Sequence, residues 1–134
     1  MNRYLPTFLI VLSCSILLCL FSCNGLTKEA KEIAGNYYNT ELSDTQPVME
    51  LGKDGRCVIT AIKPGVLTYS VEGKWNVKND SLILDLDPST LKVTGDESLV
   101  GYIPTRMAQL IHSHADMSLQ VERDGVVYSY RRQN

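Results

Sequence analysis

Turn-forming residues recur about every ten positions along most of the chain, and this spacing constrains the fold more than any other feature. In order, they are Asp44, Pro47, Asp54-Gly55, Pro64-Gly65, Asn79-Asp80, Asp87-Pro88, Gly95-Asp96 and Asp124-Gly125. Between them, apolar and polar side chains alternate. Short alternating segments joined by turns at this spacing are typical of an all-β sandwich or barrel.

Several turns can be tested by register, because residues opposite one another in an antiparallel pair share a face of the sheet. Two-residue loops at Asp124-Gly125 and Asn79-Asp80, and a three-residue loop at residues 53–55, each place apolar residues opposite apolar residues. The predicted pairs are Val121–Tyr128, Leu119–Tyr130, Val77–Leu82, Trp75–Leu84, Leu51–Cys57 and Met49–Ile59. A loop over residues 63–65 predicts the further pairs Ala61–Leu67 and Ile59–Tyr69.

Three segments complete the predicted fold. Residues 67–77 alternate without interruption and indicate one long strand, in which Gly73 marks a bend or a close backbone approach. Residues 105–114 carry apolar side chains at spacings of three and four, which predicts a short helix with Thr105 as its N-cap. Residues 28–34 predict a helical turn capped by Thr27.

These patterns together predict a mainly β fold. We expect an antiparallel up-and-down β-barrel, or a strongly curled meander, of eight to ten strands with one short helix before the last hairpin. The chain has 134 residues, which suits one such domain.

The first 22 residues have a different character from the rest. A single cation, Arg3, precedes an apolar run of 13 residues from Phe8 to Leu20, the length of a signal-peptide core rather than of a transmembrane helix. The run ends at Leu20-Phe21-Ser22-Cys23, which resembles the lipobox of bacterial lipoproteins. The resemblance implies cleavage before Cys23 and lipidation of that cysteine. A plain secretory signal and a short uncleaved anchor are the alternatives.

The expected organisation is therefore a lipoprotein signal peptide over residues 1–22, a lipid-anchored tether with a helical turn over 23–34, and a β domain over 35–134. Its expected location is the bacterial cell envelope, at the outer membrane, with the membrane as a partner through lipidated Cys23. Several acyl chains on one cysteine make a stable anchor.

Charge and cysteine usage narrow the function further. All 15 acids but only 12 of the 13 Lys and Arg lie after residue 22, which leaves a formal charge of −3 and no basic cluster beyond Arg131-Arg132. Nucleic acid is therefore not an expected partner. With Cys23 lipidated, Cys57 is the one remaining thiol of the mature chain, and its register predicts a core position.

No residue pattern indicates catalysis. The motif from His112 to Asp116 resembles the His-x-His-x-Asp core of the metallo-β-lactamase superfamily, but Met117 stands where that superfamily has a further His, and the chain has two His in total. Asp85 and Asp87 share a polar strand face, which indicates a solvated surface. We therefore expect no enzyme, no metal site and no cofactor.

Aromatic residues on the apolar faces suggest a binding function instead. A small barrel of about eight strands can hold one modest ligand, and Tyr69, Trp75 and Tyr130 are the expected lining residues. Gly35-Asn36-Tyr37 at the first strand, the meander beginning at Gly73-Lys74-Trp75, and a late arginine (Arg131 or Arg132) resemble the lipocalin or calycin pattern of small bacterial lipoproteins.

That resemblance implies a binding module for a small, largely apolar ligand. The alternative is an interaction or structural lipoprotein with a filled core, which would bind another envelope protein through its outer surface or a sheet edge.

Overall fold

The structure is a computed structural model that describes residues 25–133. Eight antiparallel strands form a closed barrel, in which each strand pairs with the next along the chain and the last pairs with the first. The strands are β1 (Gly35–Tyr38), β2 (Met49–Leu51), β3 (Arg56–Lys63), β4 (Leu67–Lys78), β5 (Ser81–Gly95), β6 (Arg106–Ser113), β7 (Ser118–Arg123) and β8 (Val126–Gln133). A helix, α1 (Lys28–Ile33), precedes β1. The predicted signal peptide and Cys23 lie outside the described residues.

The predicted up-and-down barrel is confirmed, with eight strands. Three predicted hairpins have the expected register, namely those at Asp124-Gly125, Asn79-Asp80 and residues 53–55. At these turns Asn79, Asp80, Asp124, Gly55 and Gly125 have the positive φ angles that tight hairpin loops require. Local turn chemistry therefore determines three of the four hairpin registers that sequence reasoning could test.

The hairpin between β3 and β4 corrects one prediction. Lys63 pairs with Leu67 and Ala61 with Tyr69, a shift of two residues from the predicted register. The reason is a tight turn with Pro64-Gly65 at its centre, in which the Val66 amide donates to the Lys63 carbonyl over 2.9 Å and Gly65 has φ +74°. Pro followed by a left-handed Gly is the combination that a type II turn favours. A shift of two preserves the predicted faces.

The Asp87-Pro88 signal does not end a strand either. β5 continues to Gly95, and the register changes from Glu72–Asp87 to Ser70–Lys92, so that the extra residues of β5 form a bulge. The Thr90 hydroxyl holds this bulge in place, since it accepts from the Glu72 amide over 2.8 Å and donates to the Asp87 carbonyl over 2.6 Å.

The helix predicted over residues 105–114 is wrong, and the barrel has a strand there. β6 pairs with β5 from Leu84–Met107 to Ser81–Leu110 and with β7 on its other edge. Its inward positions include the polar Gln109, while Ala108 and Leu110 point outward and are exposed. With a polar residue inside and apolar residues outside, the apolar side chains of this strand are spaced as they would be in a helix. Pairing on both edges of the strand overrides the helix preference of these residues. Among the described residues there is therefore no helix directly before the last hairpin, and α1 is the helical turn predicted separately over residues 28–34.

Helix α1 closes one end of the barrel. Thr27 caps it as predicted, because its hydroxyl accepts from the Ala30 amide over 3.3 Å and donates to the Val77 carbonyl over 2.8 Å. The buried face of the helix, Ala30 and Ile33, packs on the barrel core. The Tyr37 hydroxyl donates to the Ile33 carbonyl and ties the helix to the barrel interior.

Gly73 allows two strands to approach closely, as its position predicted. A side chain at residue 73 would overlap the Asp85 carbonyl oxygen and would come within 2.9 Å of the Leu86 Cα atom. Because both of these neighbours are backbone atoms, they cannot rotate away. The β4–β5 pairing around the bulge depends on this missing side chain.

Candidate ligand-binding cavity

The two ends of the barrel differ. At the closed end lie α1 and the turns at residues 52–55, 79–80 and 114–117, and the buried core fills the space above them. At the open end lie the two longest loops, residues 39–48 and 96–105, and the turns at 64–66 and 124–125. A cavity of about 740 Å³ occupies the open half of the barrel. Cavities of this size are in the range of small-molecule sites.

One wall of the cavity, from β2 to β5, is apolar. It contains Met49, Ile59, Ala61, Val71, Leu84 and Leu86. Ile103 and Met107 extend this surface and pack against the core. Burying apolar area contributes about 25 cal/mol per Å², so this wall favours a hydrocarbon surface over water.

The opposite wall, from β6 to β8, carries polar groups. Gln109, Arg123, Tyr128 and Tyr130 all line the cavity. Leu110 pairs with Glu122, and both of these residues point outward, so the next pair along the ladder places Gln109 beside Arg123 on the inner face. The Arg123 guanidinium carbon lies 4.9 Å from the centroid of the Tyr128 ring, within cation–π range.

Two of these polar groups have unusual surroundings. Gln109 is only 3% exposed, and its side-chain oxygen has no hydrogen-bond partner among the described residues. Burial raises the pKa of Tyr130, which the Arg123 charge opposes. The Tyr130 hydroxyl is therefore neutral near pH 7 and able to donate a hydrogen bond.

Apolar side chains also surround the opening of the cavity. Leu42, Val66, Leu99, Tyr102 and Val126 are exposed, and all five lie in the loops of the open end or beside them. We call these five residues the apolar rim. Tyr102 is 88% exposed and also lines the cavity. Grouped apolar exposure of this kind commonly marks a binding surface.

The residues predicted to line a ligand site separate into two groups. Tyr69 and Tyr130 line the cavity, on opposite walls. Trp75 does not line it: this side chain is 4% exposed in the core of the closed half, where its indole N–H donates to the Gly52 carbonyl over 2.8 Å. Alternation put Trp75 and Tyr69 on one face but did not show that they lie at different heights in the barrel.

The remaining chemical candidates lie away from the cavity. His112 Nε2 contacts Glu122 Oε1 at 3.2 Å on the outer surface, and Asp116 lies in the following turn with φ +57°. Asp85 and Asp87 are exposed, and Asp85 contacts Arg106 at 3.5 Å. Within residues 25–133, no three His, Cys, Asp or Glu side chains are grouped as a metal would require.

Cys57 is buried and free, in the core of the closed half. Burial, together with the charge of Asp85, raises its pKa to about 11. The thiolate is the reactive form, so this environment suits a packing role rather than a nucleophile.

Sequence reasoning missed Gln109 and Arg123. The helix predicted over residues 105–114 places Gln109 on an outer face, and no sequence pattern singled out Arg123. One signal was present, since the confirmed Val121–Tyr128 pair predicts that Arg123, two residues after Val121, shares its inward face.

Comparison with family models, with curated proteins and with solved structures finds no match for this chain. None of the helices among residues 25–133 has both the length and the apolar character needed to span a bilayer.

Proposed function

We propose that this protein is a lipid-anchored envelope lipoprotein whose barrel is a binding module for a small, largely apolar ligand. The observation that carries this proposal is the cavity of about 740 Å³, walled on one side by apolar strands and open at one end. A filled core would leave no such space. The proposal assigns no catalytic step to the cavity.

The position of the N-terminal segment supports the anchoring part of the proposal. The Thr27 amide donates to the Asn76 side-chain oxygen over 3.0 Å, which holds the start of the described chain at the closed end. Cys23 precedes Thr27 by four residues. A lipid on Cys23 would therefore attach the closed end to the membrane and leave the open end accessible from the aqueous side.

Photochemical labelling tests the cavity. The full chain, reconstituted in phosphatidylcholine nanodiscs, is irradiated with a diazirine derivative of decan-1-ol, and labelled peptides are identified by mass spectrometry. We expect labels on peptides that contain Tyr69 or Tyr130, and we expect excess decan-1-ol to suppress them.

A filled-cavity variant and its control sharpen this test. Ala61→Trp places a large ring in the cavity and should abolish the label, while Ala115→Trp, in the exposed turn at the closed end, should leave it unchanged. Labelling confined to other surfaces, or unaffected by Ala61→Trp in a protein with an unchanged circular dichroism spectrum, would refute the binding function.

Lipidation is tested in a bacterial host fed an alkyne-tagged fatty acid. We expect the protein to acquire the tag and to lose it in the Cys23→Ala variant. An untagged wild-type protein in the membrane fraction would contradict the anchoring proposal and leave the cavity proposal standing.

The apolar rim favours a second candidate, the recognition of another envelope protein that presents an apolar surface. A sheet edge is not available for such a contact, because the barrel is closed. Cross-linking tests this candidate. If the protein cross-links to one other protein, and if the Tyr102→Ser/Val126→Ser variant loses this cross-link while Ala61→Trp retains it, the result favours this candidate over ligand binding.

A further inference from the structure

The polar wall of the cavity contains a buried group without a partner. The Gln109 amide is 97% buried, because the residue is 3% exposed, and its oxygen makes no hydrogen bond within residues 25–133. Buried polar atoms almost always have partners, because an unpaired one loses its bond to water and gains nothing. A 180° rotation of the terminal amide exchanges its oxygen and NH₂, so this position can offer either an acceptor or a donor to a ligand.

A positive charge lies next to this amide. Ladder geometry places Arg123 beside Gln109 on the inner face, and the ring of Tyr128 supports the guanidinium. Among the described residues, no carboxylate lies within 4.0 Å of Arg123. The adjacent Asp124 is exposed at the rim of the cavity. The guanidinium therefore retains donors for a ligand, and its planar fork matches a carboxylate.

Tyr130 adds a third donor to the same wall. Its hydroxyl is near enough to Arg123 to be affected by that charge, and it stays protonated at neutral pH. On the opposite wall, the polar side chains that line the cavity are Tyr69 and Thr60, and the surface is otherwise aliphatic around Ile59 and Val71. The cavity thus combines one hydrogen-bonding, positively charged surface with one hydrocarbon surface.

We infer that the cavity selects apolar molecules that carry one carboxylate, with the carboxylate held by Arg123 and the Gln109 amide and the hydrocarbon part on the β2–β5 wall. This inference rests on the proposed binding function and specifies its ligand class. A carboxylate fits better than a phosphate because Arg123 is the one unpaired cation on the described polar wall, and a phosphate would bring nearly twice the charge. Arg106 also lines the cavity, but it is already paired with Asp85.

Three ligands with the same chain and different head groups test the inference. Binding of decanoate, decan-1-ol and decyl phosphate to the full chain in phosphatidylcholine nanodiscs is measured by isothermal titration calorimetry, with protein-free nanodiscs as the blank. We expect decanoate to bind about 10- to 100-fold more tightly than decan-1-ol, the usual range for hydrogen bonds to a charged group. Decyl phosphate should bind more weakly than decanoate.

Matched variants identify the residues responsible. Arg123→Gln should remove most of the preference for decanoate and change the affinity for decan-1-ol by less than about threefold. Gln109→Leu should also weaken decanoate binding, by a smaller factor. Arg131→Gln, an exposed arginine on the outer face of β8, should leave both affinities unchanged.

The outcomes separate this inference from the proposed function. The carboxylate inference would be overturned, while the binding function stands, by any one of three results. These are equal affinity of the wild type for decanoate and decan-1-ol, tighter binding of decyl phosphate than of decanoate, and an unchanged preference for decanoate in Arg123→Gln. Failure of all three ligands to bind, together with the absence of cavity labelling, would overturn both.

Discussion

The closed and open halves of this barrel are built from the same strands but pack in different ways. In the closed half, Cys57, Trp75 and Val77 are almost fully buried, and the Trp75 indole N–H has a hydrogen-bond partner. In the open half, Tyr69 and Tyr130 are partly exposed around a cavity, and Gln109 has an unpaired oxygen. The comparison indicates that one end stabilises the fold and that the other end is available for binding.

Replacing Trp75 should give the largest effect. Trp75→Ala removes the largest side chain of the closed core and its hydrogen bond to Gly52, so we expect a loss of about 3–5 kcal/mol in the free energy of unfolding. Urea unfolding of the full chain, followed by circular dichroism, measures it. Tyr102→Ala at the open end should change stability by less than about 0.5 kcal/mol, because that side chain is exposed. Similar losses in the two variants would contradict the division into two halves.

A second pair of variants compares two glycines. Gly73→Ala introduces a side chain that meets the Asp85 and Leu86 backbone, and overpacking of this kind costs about 1–3 kcal/mol or more. Gly101→Ala, in the loop of residues 96–105, meets no atom within 4 Å and should be close to neutral. The same urea unfolding experiment compares them, and a neutral Gly73→Ala would show that the strands can separate at this point.

The helix cap at the closed end should have a smaller effect. Thr27→Ala removes the hydroxyl that caps α1 and bonds to Val77, and we expect a loss of about 1 kcal/mol, the usual cost of deleting an N-cap. Thr27→Ser keeps the hydroxyl and should recover most of that stability. If the serine variant is as unstable as the alanine variant, the cap does not hold α1 on the barrel.

The last prediction concerns the pH dependence that the titration of Cys57 gives to stability. The pKa of this thiol is about 11 in the folded protein and 9.0 without the fold, so the unfolded chain loses its proton first as the pH rises. Stability from this group is complete below about pH 9 and decreases between about pH 9 and 11. The difference in unfolding free energy between wild type and Cys57→Ala should therefore narrow over that range. A constant difference would mean that the thiol is accessible to solvent.

Local chemistry explains why most hairpins were predictable. Asp124-Gly125 and Asn79-Asp80 are favourable two-residue turns, and each sets a register in which apolar residues lie opposite one another. The Pro64-Gly65 hairpin was predicted two residues out of register, because several loop lengths preserve the same faces. Alternation determines the face of a residue but not its height along the barrel, which is why Tyr69 and Trp75 were grouped together.

Pairing between distant residues decided the rest. The strand at residues 106–113 has a local sequence typical of a helix, but it is held by pairing with β5 and β7. The barrel closes where β1 pairs with β8, for example at Asn36 and Gln133, which are far apart in the sequence. The cavity depends on that closure, since Gln109 and Arg123 become neighbours when two strands align. The sequence by itself determined most of the strands, their faces and most of their turns, because these depend on neighbouring residues. Only the tertiary structure placed the polar wall opposite the apolar one, because that arrangement depends on contacts between residues far apart in the chain.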